Sequence, residues 1–271
     1  MARNNSDVVL NASIYALDTL CALTFLTNLL VFIVLITDTK LHKKQNAFIG
    51  LLSLADMSYS ISTFLAIHKN PVGSGYRGVL WSIADGALLT SVLALAAIAI
   101  DRYIALIWAP FRYNIIVTPK RCVTVCLLLV FGPFVLFSII YAFFDNTTAN
   151  VTITCVTAAI IIMNTCIYRN IYKQLQRKQV GIPVMQQDLE ESKKLLMTFT
   201  IIVGIFIITW TPLIILTLTT GVLGLFGNGR SYFLMMIIGY EIGMVNSLAN
   251  PIIYWFRMPT FRRAALKLVC S

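Results

Sequence analysis

The chain has 271 residues, of which 58% are hydrophobic and only 12% charged, and its mean hydropathy is +0.82. An ordinary soluble domain carries roughly 25% charged residues, so this composition excludes one and describes a membrane protein. The formal net charge of +10, from 21 Lys and Arg against 11 Asp and Glu, then belongs to cytoplasmic loops rather than to a nucleic-acid surface.

In chain order, the opening MARNNSDVVLNAS is polar and lacks the apolar core of a cleavable signal peptide. Residues 1–11 therefore read as an extracellular tail, and the first span does the targeting. Seven apolar runs follow, each of about 20 residues and long enough to cross the hydrocarbon core as a helix. They lie at about 12–37, 46–67, 79–104, 122–143, 152–173, 194–220 and 232–255. A short polar stretch, FFDNTTANVT, joins the fourth to the fifth. Beyond the last span, MPTFRRAALKLVC predicts an amphipathic helix over about 258–268, lying along the inner leaflet. Its apolar positions are Phe261, Ala265 and Leu268, with Arg262, Arg263 and Lys267 between them. Cys270 at its end is a palmitoylation candidate, a spare terminal cysteine being the alternative. The expected fold is an all-α membrane protein, a seven-transmembrane helix bundle forming one domain over residues 1–271. No repeat relates the two halves and no glycine-broken half-helices pair up, which disfavours the alternative, a membrane transporter or channel of another class.

Orientation follows from the basic residues. Only Arg3, Lys69, Arg77 and Arg230, four of the 21, fall on the side of the N-terminal tail. The rest fall on the other side, which places the N-terminus outside and the C-terminus in the cytoplasm of a multi-pass plasma-membrane protein. Four N-x-S/T acceptors, Asn4, Asn11, Asn146 and Asn150, all lie on the outer side; Asn4 is the farthest from the membrane. The six cysteines show no CxxC and no neighbouring histidine, so they read as free and buried. His42 and His68 fall in or near loops and read as solvated. No nucleophile–base pair or metal-ligand cluster stands out, so an enzyme is not expected.

Polar residues at membrane depth carry the remaining information, because they are costly there and usually face one another. "AIAIDRYIAL" (97–106) ends the third span with Asp101 and Arg102, at the cytoplasmic interface by the orientation above. Asn28 lies mid-span in "LTNLLVF", Asp56 mid-span in "LSLADM", and "NSLANPIIY" (246–254) places two asparagines and a proline deep in the last span.

These motifs, in this order and on these helices, resemble the rhodopsin-like (class A) G-protein-coupled receptors across nearly the whole chain. The residues that carry the likeness are Asn28; Leu52, Ala55 and Asp56; Asp101-Arg102-Tyr103; Phe206, Trp210 and Pro212 in "FIITWTP"; and Asn250-Pro251 with Tyr254, followed by Phe261. Within the class, "FRYNIIVT", the short fourth-to-fifth connection and "NPIIYWFRMPTFRRAALKLVC" look most similar to the melanocortin, cannabinoid and lysophospholipid receptors. Three departures stand out: Arg77 occupies the usual cysteine position atop the third span, leaving Cys155 without a partner; Ile160 replaces the fifth-span proline; and the fourth span has no tryptophan.

The resemblance implies roles. Asp101 would hold Arg102 at rest, and on activation Arg102 would meet a heterotrimeric G protein, with Tyr168 and Tyr254 swinging toward it. The usual sixth-span acid is replaced by Ser192. Asp56, Ser91, Asn246, Ser247 and Asn250 would hold an allosteric sodium ion, a protonated carboxyl or a water network being the alternative at Asp56. The ligand, a small molecule, lipid or peptide, would meet Ala84, Asp85, Leu88, Trp210, Leu213, Ile214, Thr217, Tyr240 and Met244, a pocket with few polar groups. Positions acidic in melanocortin receptors fall at Ala66, Arg77 and Trp81. The lysophospholipid-type arginine falls at Leu80, and no lysine occurs in the last span for a retinal Schiff base. Asp85 lies about 25 Å from Arg102 along a helix rising 1.5 Å per residue, at ligand depth. It reads either as a residue at the cavity edge or as a structural acid paired with a group such as Arg77. Lys69, Arg77 and Arg230 make the mouth basic, which favours a lipid-like or small apolar ligand over a cationic one.

Overall fold

The computed structural model of the protein describes residues 2–44, 46–68, 74–144, 146–177, 186–221 and 230–269. Seven long helices account for most of them: α1 (Ala2–Thr37), α2 (Asn46–His68), α3 (Ser74–Tyr103), α5 (Pro119–Phe143), α6 (Asn146–Arg177), α7 (Gln186–Gly221) and α8 (Arg230–Arg257). The short α4 (Tyr113–Ile116) lies between α3 and α5, and the amphipathic α9 (Pro259–Val269) follows α8. Six of the seven, all but α8, contain stretches long and apolar enough to cross a membrane. The exception carries Glu241, Asn246, Ser247 and Asn250 along its length.

The helices overrun the expected spans in two places. Residues 1–11 were expected to form a tail, but α1 runs without a break from Ala2, since no glycine or proline interrupts the chain before Thr37. The FFDNTTANVT linker shrinks to its first residues because Asn146 already begins α6. At the other end of the chain, α9 buries Phe261, Ala264 and Ala265, and its partner surface includes Met258 and Tyr254. Leu268, expected on the apolar face, is exposed instead, and Ala264 takes the inner position.

Burial grades from centre to rim. The apolar stretch of α3 is 78% buried and that of α5 only 17%. Leu127, Leu128, Phe131, Val135 and Ile139 of α5 thus present an apolar face outward, as a helix in contact with lipid does. Small residues and side-chain-to-backbone hydrogen bonds hold the bundle where lipid supplies no hydrophobic drive. A Cβ on Gly86 of α3 would come within 3.2 Å of the Phe134 backbone, so glycine lets α3 and α5 touch. One turn further, Thr90 Oγ1 donates to the Leu129 carbonyl (2.7 Å). Asn164 Nδ2 likewise donates from α6 to the Val92 carbonyl (2.9 Å), and Asn28 Nδ2 from α1 to the Ser247 carbonyl on α8 (3.2 Å).

Candidate functional site

Three clusters lie stacked along the bundle, and each is built from residues on different helices. At the C-terminal end of α3, Asp101 and Arg102 are both buried and paired with each other; Arg102 Nε donates to Asp101 Oδ2 at 3.0 Å. The other carboxylate oxygen accepts from the Tyr113 hydroxyl of α4 (2.8 Å). Burial, with the Asp101 carboxylate beside it, pushes the Tyr113 phenol up, which keeps it a donor at neutral pH. Lys44 in turn lies 5.8 Å above the Tyr113 ring and donates to Asn114 Oδ1 (3.1 Å) and the Val117 carbonyl (2.8 Å). The segment between α1 and α2 is thereby tied to the one after α3, and through it to Asp101. Tyr113 and Lys44 went unnoticed in the sequence: a tyrosine in "FRYN" carries no sign that the chain folds back onto Asp101. Tyr103, next to the pair, is half-buried, packed against the core. The side chain of Ser192 lies outside the described residues.

The second cluster surrounds Asp56 on α2. Its Oδ1 accepts from Ser91 Oγ of α3 (2.8 Å) and Ser247 Oγ of α8 (2.9 Å), and its Oδ2 accepts from Asn250 Nδ2 (2.8 Å). Three helices thus converge on one fully buried carboxylate. Two carbonyl oxygens close by in sequence, Asn246 Oδ1 and Asn250 Oδ1, are buried without a donor. Together with the hydroxyls, they are the donor set a hard monovalent cation needs, so the residues present fit a sodium ion; they fit bridging water equally. Asn246 itself makes no hydrogen bond to Asp56 among the described contacts. Below this cluster, Tyr168 donates to the Leu95 carbonyl (3.0 Å), while the Tyr254 hydroxyl is buried with no partner and its ring meets Phe261 edge-on at 6.2 Å. Neither hydroxyl engages Arg102 in this arrangement. Pro251 lies inside α8, one turn ahead of Tyr254.

The third cluster lies toward the opposite end of the bundle from Asp101. Trp210 of α7, two residues before Pro212, stacks on Phe206 (5.7 Å) and tilts against Tyr59 (6.1 Å), with its indole N–H unpartnered. Gly243 of α8 makes room for it, since a Cβ there would meet the indole at 2.9 Å. Above Trp210 a narrow cavity of ≈ 40 Å³ is lined by Asp85, Leu88, Leu213, Ile214, Thr217 and Tyr240, as expected. That is space for only a few waters, so a ligand must widen it. Ala84 and Met244, expected in the lining, are instead packed fully into the core. Ile153, Thr154 and Thr157 of α6 and Met236 of α8 line it in their place. The α6 side of the cavity went unread in the sequence, where Ile153, Thr154 and Thr157 stand out from their neighbours by no charge or motif.

The side chain of Arg77, the partner considered for Asp85, lies outside the described residues. Asp85 Oδ2 accepts from the Tyr141 hydroxyl of α5 at 2.6 Å. Trp81 stacks on Tyr240, a residue of the cavity wall, at 5.4 Å. His68 is exposed, as expected, and also bonds Asp18 of α1 at 2.7 Å and packs its ring on Phe64 (4.7 Å). His42 Nε2 lies 3.1 Å from the Ile36 carbonyl. The five described cysteines are free, and Cys155 is exposed. Asn11 is exposed on α1; the side chains of Asn4, Asn146 and Asn150, and all of Cys270, lie outside the described residues.

Comparison with known proteins accounts for this arrangement. The family described as 7 transmembrane receptor (rhodopsin family) matches residues 27–158 and 144–254. Among curated proteins, the chain is 25% identical over 276 residues to melanocortin receptor 4 of Danio rerio and 28% identical over 281 residues to melanocortin receptor 5 of Mus musculus. Each alignment covers 93% of this chain and 82% of the relative.

Proposed function

Because the chain belongs to the rhodopsin family of seven-transmembrane receptors, we propose that it is a ligand-activated receptor of the plasma membrane that drives nucleotide exchange on a heterotrimeric G protein. The N-terminus faces outward and the C-terminus the cytoplasm, where the basic loops concentrate. The observation that carries this reading is the buried Asp101–Arg102 pair with Tyr113 on its outer oxygen. A buried guanidinium held by one carboxylate is stable only while that partner stays, and it becomes a strong donor to another acceptor once the pair opens. Arg102 then presents its N–H groups to the G protein. Tyr168 and Tyr254 are the hydroxyls within the bundle that can take over its company.

Ligand entry at the outer cavity widens the space beside Trp210, and α7 pivots at Pro212, where the missing backbone hydrogen bond lowers the cost of bending. A sodium ion, when bound, would be held by Asp56, Ser91, Ser247 and Asn250 with Asn246 nearby, and would offset the buried negative charge. Its release and the inward collapse of α8 toward α2 are then favoured together, which is linkage between ion and agonist.

For the ligand class, the relatives are named melanocortin receptors. This chain has Ala66, Arg77 and Trp81 where their acids fall, and its cavity is bounded mainly by Leu88, Leu213, Ile214 and Met236. Asp85 already has a partner in Tyr141. A lipid-like or small apolar ligand fits this lining better than a cationic peptide.

The test is agonist-free nucleotide exchange on a panel of purified heterotrimers, with the receptor in lipid nanodiscs. At least one heterotrimer should exchange faster than with empty nanodiscs, and the Arg102→Ala receptor should lose the difference. If no heterotrimer responds, with or without candidate lipids, the receptor reading fails.

A further inference from the structure

A second cavity, ≈ 270 Å³, opens on the outside of the bundle between α6 and α7. Ala158, Ile161, Ile162 and Cys166 of α6 face Ile207 and Ile214 of α7 across it. The hydroxyls at its edge are already spent: Thr165 Oγ1 donates to the Ile161 carbonyl and Thr211 Oγ1 to the Ile207 carbonyl, each one turn back on its own helix. No free hydroxyl proton is left in the walls, whose remaining polarity is the two threonine oxygens and the weakly polar Cys166 thiol. The apolar stretches of the two helices run from Val151 to Gln174 and from Thr200 to Thr219, so the groove falls near the middle of both and sits at hydrocarbon depth. Ile162, on its rim, is 65% exposed, which opens the groove to the bilayer.

Water has no reason to enter such a site, since it needs two to four polar partners. An empty notch forfeits dispersion contacts along its whole lining. Engineered apolar cavities of roughly 150 Å³ take up hydrocarbon guests, and this groove is larger. The inner wall adds a consequence. Ile214 lines both this groove and the ligand cavity, two residues beyond Pro212. A chain outside and a ligand inside press on opposite faces of one side chain, next to the point where α7 bends.

We infer that the groove between α6 and α7 is a binding site for one acyl chain of a membrane phospholipid, and that its occupancy is coupled through Ile214 to the ligand cavity. The coupling is reciprocal: what widens the cavity changes the affinity of the groove by the same factor.

The test uses the full chain in phosphatidylcholine nanodiscs doped with a phosphatidylcholine bearing a diazirine midway along one acyl chain. Neither G protein nor agonist is needed, so the outcome stands apart from the receptor reading. After irradiation and proteolysis, adducts per residue on 158–166 and 207–214 should exceed those on the lipid-facing Leu128, Phe131 and Val135 of α5 by about tenfold, a preference of ~1.4 kcal/mol. Ala158→Trp, and independently Ile162→Trp, fill the groove and should abolish the excess while leaving the α5 adducts unchanged, which also reports that the bundle is folded. Uniform labelling, or an excess that survives both fillings, overturns the site. Ile214→Ala removes the shared wall and should carry adducts inward to Leu88 and Leu213; adducts confined to the outer wall in that variant overturn the coupling.

Discussion

The half of the bundle around Asp56 and Asp101 and the half around Asp85 are built on opposite terms. In the first, each acid is held by several groups: Asp56 accepts three hydrogen bonds, and Asp101 holds Arg102 while accepting from Tyr113. In the second, Asp85 has a single described partner in Tyr141, and the rest of the cavity wall is largely apolar. Polar groups fix positions to within a few tenths of an ångström, because an unpaired one at this depth costs ~1–3 kcal/mol. Apolar walls tolerate many shapes at similar cost. The half around Asp56 and Asp101 therefore holds one geometry closely, and the half around Asp85 can change shape at little cost.

The sharpest break of that contrast is Arg102→Ala. It removes the group expected to meet the G protein, so stimulated exchange should fall to the level of empty nanodiscs while surface expression persists. Normal exchange by this variant would reduce the pair to a helix-end ion pair.

Asp56→Ala comes next. It strands the donors of Ser91, Ser247 and Asn250 around a void, and thermal unfolding in detergent should shift downward by an amount equivalent to ~2–4 kcal/mol. The milder Asp56→Asn keeps the volume and should abolish any sodium dependence of binding by a ligand that prefers the active state. A parent protein indifferent to sodium would make the cluster a water network.

Tyr113→Phe deletes one hydrogen bond to a charged group, worth up to ~1.5–3 kcal/mol. With Ser192 in place of the usual sixth-span acid, Tyr113 is a main restraint on the resting pair, and the variant should raise basal exchange several-fold. Lys44→Ala should act in the same direction and more weakly. Unchanged basal activity in both would show that the restraint lies elsewhere.

The smallest effects are expected outside. If Asp85 is structural, Asp85→Asn should keep the bond to Tyr141 and match Asp85→Glu in agonist potency within about threefold. A hundredfold loss in the Asn variant alone would point to a cationic ligand. With Cys155 free, ligand binding should also survive dithiothreitol; its loss on mild reduction would reveal a disulfide partner.

The same division separates what could be read in the chain from what could not. Asp56 is far in sequence from Ser247 and Asn250, yet each is conspicuous alone, because a polar residue inside an apolar run has few innocent explanations. The cavity was half legible. Its α3 and α7 walls follow from helical period, whereas Ile153, Thr154 and Thr157 depend on the rotation of α6, set by Asn164 reaching Val92. Ala84 and Met244 have the right period but sit too deep.

From the sequence alone come the number and order of the spans, the membrane class, the basic side, and the polar residues that had to find partners. Each rests on a cost paid residue by residue against lipid, which needs no knowledge of neighbours. Tertiary structure alone decided who those partners are: Tyr141 for Asp85, Tyr113 for Asp101, Asp18 for His68. It also decided that Ile214 serves two cavities. Such pairings are set by the rotation and depth of whole helices. Those depend on summed packing over many contacts of a few tenths of a kcal/mol each, and no single residue's identity records the sum.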